Sequence, residues 1–164
     1  MDQSFIGTNS LVSVLAGLVF IGTVIKVGIS LQTYLIDVRC VLLLPTELGL
    51  REWREKYKVL SFAQFSLTVV TSALSFLTYF TVLFSDSGNT LKAQLWLLCC
   101  ILMFSLLPYT VLVVVPINKR LNSKECEENL SLSAALLKKW GEVNKPRPFM
   151  LLLIMVIFYY VIFV

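Results

Sequence analysis

Four long apolar runs constrain this chain more than any other feature of its sequence. They cover residues 11–36, 60–84, 93–116 and 149–164, and the last three contain no charged residue. A helix of about 20 residues crosses a hydrocarbon core of about 30 Å, and backbone groups in lipid must be satisfied within a helix or a closed barrel. The runs are continuous rather than alternating, which favours helices. We therefore expect an all-α polytopic membrane protein, an antiparallel bundle of four transmembrane helices.

The expected helices leave little of the chain over, so residues 1–164 are expected to form one domain. The transmembrane helices are predicted over about residues 11–36, 58–84, 92–116 and 148–164. The first run has no basic segment before it and is longer than the apolar part of a signal peptide, so we expect it to be a retained helix.

Two segments between the runs predict amphipathic helical extensions, over about residues 46–57 and 125–144. In the first segment Leu50, Trp53 and Tyr57 recur at helical spacing. Aromatic side chains at the end of a membrane helix commonly sit at headgroup level, so we expect Trp53 and Tyr57 to be interface anchors.

The basic residues indicate how the bundle is oriented. Of 14 Lys and Arg residues, five lie between the first two runs and seven between the third and fourth, whereas the N-terminal tail has only Asp2 and the connection over residues 85–90 only Asp86. Cytoplasmic loops collect Lys and Arg, so we expect both long loops in the cytoplasm and both termini lumenal or extracellular. The last run, residues 149–164, is short and suits the thinner membrane of the endoplasmic reticulum.

Composition excludes several classes of site. The chain has no histidine, which removes His-ligated haem and metal centres. Cys40, Cys99, Cys100 and Cys126 lack the CxxC spacing of zinc sites and are expected to be reduced thiols in buried or interfacial positions. The loops mix Lys and Arg with Glu, so membrane lipids are expected partners and nucleic acid is not.

Lys26 is the one charged residue inside a run, and such residues commonly mark function. We expect its side chain to reach the cytoplasmic interface; the alternative is a mid-membrane position with a partner or a wet cavity. Pro108 is expected to kink the third helix.

The junction of the third helix and its loop resembles the DUF1772 family, also called anthrone-oxygenase-like. That family has a Pro-x-Asn-x-x-Leu turn after its third helix, then a Trp, a His or Asn four residues on, and an Arg three residues beyond. The matching positions here are Pro116, Asn118, Leu121, Trp140, Asn144 and Arg147, with Trp53 and Tyr57 resembling the family's Trp-x-x-x-Tyr segment.

The resemblance implies that the chain oxidises a flat hydrophobic aromatic molecule with O2 and without a cofactor. Removal of an acidic C–H proton from an anthrone leaves a carbanion that reacts with O2 directly, so the site needs a base and donors for the anion. The candidates are Asn118, Asn144 and Arg147, with Lys26 as the only intramembrane base. The residues that could line an aromatic cavity are Phe65, Phe76, Tyr79, Phe80 and Phe104.

Two other functions are left open. One is a non-catalytic accessory subunit that packs against a larger membrane protein. Gly17, Gly22 and Gly28 in the first helix would permit such close approach, to a partner or within the bundle. The other is lipid binding or handling.

The orientation is tested by single cysteines introduced at Arg51 and Lys139 in a background that lacks the native cysteines. Both lie in loops rich in Lys and Arg, so an impermeant thiol reagent should label them only after the cytoplasmic side is opened. Labelling of both from the lumenal or outer side would reverse the topology.

Overall fold

A computed structural model describes residues 3–85 and 90–163, with side chains described over 11–84 and 91–163. Asp2 and Asp86, which the predicted orientation uses, lie outside the described residues.

The described residues are almost entirely helical, which confirms the all-α membrane fold. Four helices are long and apolar enough to cross a membrane. The α-helices are α1 (Gln3–Gln32), α2 (Val38–Leu43), α3 (Thr46–Ser85), α4 (Thr90–Tyr109), α5 (Val115–Leu121), α6 (Lys124–Glu128), α7 (Leu130–Asn144) and α8 (Pro146–Phe163). Two π-helical segments, Thr33–Asp37 and Thr110–Val114, join α1 to α2 and α4 to α5 without a break.

The expected amphipathic extensions are present, with one change. The first is the beginning of α3, which continues straight into the membrane span. The second is divided at Asn129, which adopts an extended conformation between α6 and α7. Its side-chain Oδ1 accepts a hydrogen bond from the backbone N–H of Leu132 at 3.0 Å, so Asn129 is the N-cap of α7.

The third span runs past the position at which the sequence predicts a turn. Pro116 lies at the beginning of α5, and the helix continues through Asn118 to Leu121. A proline is tolerated in the first turn of a helix, where its missing N–H is not needed. Pro116 meets this condition because the regular α-helix begins again at Val115, after the π segment. The motif's Pro and Asn are therefore helical here.

The helical conformation also continues from α7 into α8, although Pro146 and Pro148 lie at the junction. Lys145 has helical dihedral angles, φ −55° and ψ −44°, although the residue before a proline is usually extended. Pro146 and Pro148 fall in the first turn of α8, where prolines fit a helix. As a result, α7 and α8 follow one another with a single residue between them.

Among the described residues, the buried side chains form two clusters. The larger one joins the spans and includes Trp96, Met103 and Phe158. The second lies where α2, the beginning of α3, α5, α6 and α7 meet, and we call this part of the molecule, residues 38–57 and 115–144, the capped end. Its buried members are Val41, Leu50, Trp53, Ile117, Leu121, Cys126, Leu136 and Leu137.

Two glycines allow the helices of the capped end to approach closely. A Cβ on Gly49 would lie 2.5 Å from the backbone oxygen of Val41, so only glycine lets α3 cross α2 there. A Cβ on Gly141 would lie 2.8 Å from Cγ1 of Val38. Within the spans, Gly22 packs against Thr71, whereas Gly17 and Gly28 have open space where a Cβ would be.

We expect Gly49→Ala to lower the free energy of unfolding by about 1–3 kcal/mol, because a backbone oxygen cannot move aside as a side chain can. The measurement is thermal unfolding of purified protein in detergent. Gly28→Ala is the matched control and should leave stability unchanged or raise it slightly, since it adds helix propensity in open space. Equal melting temperatures for the two variants would contradict this packing.

Candidate functional site

A cavity of about 380 Å³ lies between the spans and the capped end. Its volume is within the range of about 300–1,000 Å³ that is common for pockets that hold small molecules. Side chains from both π segments, from α2, α3, α4, α5 and α7, and from the first turn of α8 line it. The lining residues that carry the argument are Asp37, Trp53, Lys56, Tyr57, Phe62, Phe65, Asn118, Trp140, Asn144 and Arg147.

Three aromatic residues form one wall of this cavity. The rings of Trp53 and Tyr57 stack with centroids 5.0 Å apart and planes 11° apart. Trp140 meets Trp53 edge-on at 6.2 Å. Trp53 is only 2% exposed, so the expectation that it anchors the chain among lipid headgroups is wrong. Its ring packs inside the protein because α3 turns this face towards α7.

Three polar side chains at the cavity, those of Asn118, Asn144 and Arg147, come from the family-like motif. Arg147 donates from Nη1 to Oδ1 of Asn144 at 3.0 Å, and Asn144 donates from Nδ2 to the carbonyl of Trp140 at 2.8 Å. Asn118 is buried, and its Oδ1 accepts no hydrogen bond within the described part of the chain. Pro116 and Leu121 do not line the cavity: Pro116 is exposed on α5, and Leu121 is fully buried in the capped end.

Sequence reasoning missed an ion pair that lines the cavity. Asp37 is 5% exposed, and its Oδ1 accepts from Lys56 Nζ at 3.1 Å. Lys56 also pairs with Glu52 at 3.0 Å, the i,i+4 pair that the sequence suggests. Asp37 directly follows the first apolar run and has apolar neighbours on both sides, in Leu-Ile-Asp-Val. A carboxylate in such a setting commonly marks a functional position, and this pattern could have identified Asp37 from the sequence.

The Lys26 side chain is buried inside the bundle, so the prediction that it reaches the cytoplasmic interface is wrong. It is 7% exposed and donates from Nζ to Sδ of Met103 at 3.3 Å. It does not line the main cavity. It lies instead at a small pocket of about 20 Å³ that it shares with Asn144 and Arg147. Gln64, Thr33 and Thr68 line both spaces, so the pocket adjoins the cavity.

The cavity also lies nearer the capped end than the aromatic pattern suggests. Of the five aromatic residues proposed for its walls, only Phe65 lines it. Phe76 and Phe104 pack edge-on against each other at 6.2 Å, and Phe80 and Phe104 are about half exposed on the outer faces of the spans. Phe80 and Phe104 therefore face outward, whereas Tyr79 packs against the buried core of the spans.

Hydrogen bonds across helices hold the cavity walls in place. Arg54, one residue after Trp53, donates from Nε and Nη2 to the carbonyl of Leu121 at 3.0 and 2.8 Å, and from Nη2 to the carbonyl of Ser123 at 2.9 Å. Tyr109 donates its hydroxyl to the carbonyl of Val143 at 2.6 Å, next to Asn144. These bonds satisfy carbonyls at helix ends and tie α3 to α5 and α4 to α7.

Comparison with known proteins gives one family. Residues 53–157 match the family described as anthrone oxygenase. No curated protein and no solved structure shows significant similarity to the chain. The matched stretch begins at Trp53 and includes Asn118, Trp140, Asn144 and Arg147, whereas Lys26 and Asp37 precede it.

Proposed function

The chain belongs to the anthrone oxygenase family, and we propose that it oxidises a flat hydrophobic aromatic molecule with O2 in the cavity below the capped end. One observation carries the proposal: the motif residues Asn118, Trp140, Asn144 and Arg147 line a single cavity with a buried carboxylate. A packed interior at this place would have favoured a purely structural subunit.

The reaction balances without a metal or an organic cofactor. A base removes one proton from the CH2 group of the anthrone, and the charge delocalises onto the carbonyl oxygen opposite. The electron-rich carbon gives up one electron to O2, and the two radicals combine to form a C–O bond. The resulting peroxide anion takes up the proton to become a hydroperoxide, which loses water, so that CH2 and O2 become C=O and H2O.

The side chains supply what this sequence of steps needs. Asp37 is the candidate base, because it is the carboxylate among the cavity-lining residues and is buried beside apolar walls. Arg147 and the amides of Asn118 and Asn144 are the candidate donors to the oxyanion. The aromatic wall provides rings against which a flat substrate can stack, and it keeps water away from the carbanion.

The substrate is proposed to enter from the lipid. Phe62 and Phe65 line the cavity and are 78% and 51% exposed, so the cavity reaches the outer surface of α3. Neighbouring residues on that surface, such as Val59 and Val69, are apolar and exposed as well. With the capped end in the cytoplasm and both termini lumenal, in the endoplasmic reticulum membrane, a molecule dissolved in the cytoplasmic leaflet would reach the site directly.

The same opening supports lipid handling as a second candidate function. A lipid acyl chain could lie along Phe62 and Phe65 with its polar part at Arg147. The two functions differ in outcome, because only the oxygenase consumes O2.

The proposal is tested with purified protein in nanodiscs, with a chelator present, given an anthrone and O2 while quinone formation is followed. Asp37→Asn should lower kcat by about 10²-fold or more, since it keeps the shape but removes the base. The matched control is Glu52→Gln, which removes the other carboxylate bonded to Lys56 without changing the cavity lining, and it should retain activity.

Quinone formation no faster than in empty nanodiscs would contradict the oxygenase. Stable co-purification of a larger membrane protein would then favour the accessory subunit, and retained lipid would favour lipid handling. Equal activity of Asp37→Asn and the parent chain would remove Asp37 as the base.

A further inference from the structure

We infer that the small pocket between Lys26 and Arg147 binds an anionic oxygen of the ligand. The inference rests on the proposed function only in taking the ligand to be a flat aromatic molecule in the adjoining cavity. It assigns that pocket as a subsite: one oxygen atom on the ring system is held there in its ionised form, as the phenolate.

The first support is an imbalance of charge. Lys26 and Arg147 both line the pocket, and no carboxylate lines it within the described residues. The one acidic side chain at the neighbouring cavity, Asp37, is paired with Lys56. Two basic side chains therefore lie together, Lys26 buried and Arg147 partly buried, without a carboxylate partner among the residues that the structure describes. Holding both groups charged away from water is costly, and an anion bound between them would offset that cost.

The second support is the number of donors left for a ligand. The Lys26 ammonium has three hydrogen-bond donors, and within the described residues it donates to the thioether of Met103, which is a weak acceptor. Arg147 has a buried Nε without a hydrogen-bond partner, and only its Nη1 is engaged by Asn144. The side chains of Gln64, Thr33 and Thr68 surround the same space.

The third support is size. A volume of about 20 Å³ has room for about one water-sized group. An oxygen atom on a ring in the main cavity fits that space, whereas a phosphate or sulfonate group is too large. The pocket shares Asn144 and Arg147 with the main cavity, so one rigid molecule can occupy both.

The test uses two probes that do not react with O2: 2-hydroxyanthraquinone and its 2-methoxy ether. Binding to protein in zwitterionic nanodiscs is followed by the fluorescence of the cavity tryptophans, and the ionised state of the hydroxy probe by its long-wavelength phenolate absorption. The parent chain should bind the hydroxy probe at least about tenfold more tightly than the ether, as a hydrogen-bonded charge implies, and the bound probe should absorb as the phenolate at neutral pH.

Lys26→Met and Arg147→Gln should each reduce this preference towards unity and abolish the phenolate band. Lys138→Met is the matched control, because Lys138 is exposed on α7, and it should leave both readouts unchanged. Lys26→Met removes a buried charge and is expected to fold, so it carries the test if Arg147→Gln unfolds on a thermal ramp.

An unchanged preference in folded Lys26→Met would overturn the anion site, even if quinone formation is observed. A preference with the phenolate band but no quinone formation from any anthrone would leave the anion site standing and contradict the oxygenase. Failure of the parent chain to bind either probe would contradict both.

Discussion

The contact between the beginning of α3 and the end of α5 is the one on which the site depends. Arg54 donates to the carbonyl of Leu121, the last residue of α5, and to that of Ser123 just beyond the helix, and it forms an ion pair with Glu127. This clamp fixes the rotation of α3 about its axis. As a consequence, the adjacent Trp53 faces inward against Trp140, and Asn118 on α5 faces the same space. The absence of a side chain on Gly49 lets α2 close the remaining side.

The π segments explain how straight membrane helices can border a cavity. Each adds a residue to one turn, which shifts the face that the helix presents beyond it. The first brings Thr33 and Asp37 to the cavity, and the second brings Thr110 and Val114. Such segments are frequent at functional sites, and here both lie at the same level of the bundle. The cavity thereby receives polar groups from helices that elsewhere present apolar faces.

Hydropathy alone predicted the four spans and their amphipathic extensions, because the requirement to satisfy the backbone in lipid permits few alternatives. Asn118, Trp140, Asn144 and Arg147, which the family-like motif singles out, line one cavity. The sequence did not predict the π segments or the inward rotation of α3, since both depend on contacts with distant helices. For that reason Asp37 was missed, Trp53 was placed at the membrane surface, and Lys26 was expected at the interface.

Photolabelling in intact membranes can show whether a flat aromatic molecule binds in the cavity below the capped end. The reagent is an anthraquinone that carries a small diazirine, and labelled peptides are identified by mass spectrometry with and without excess unlabelled anthraquinone. We expect labels that the competitor abolishes on three stretches that line the cavity, residues 53–65, 107–118 and 140–147. Labels confined to the lipid-facing stretch 69–84, or insensitive to the competitor, would contradict it.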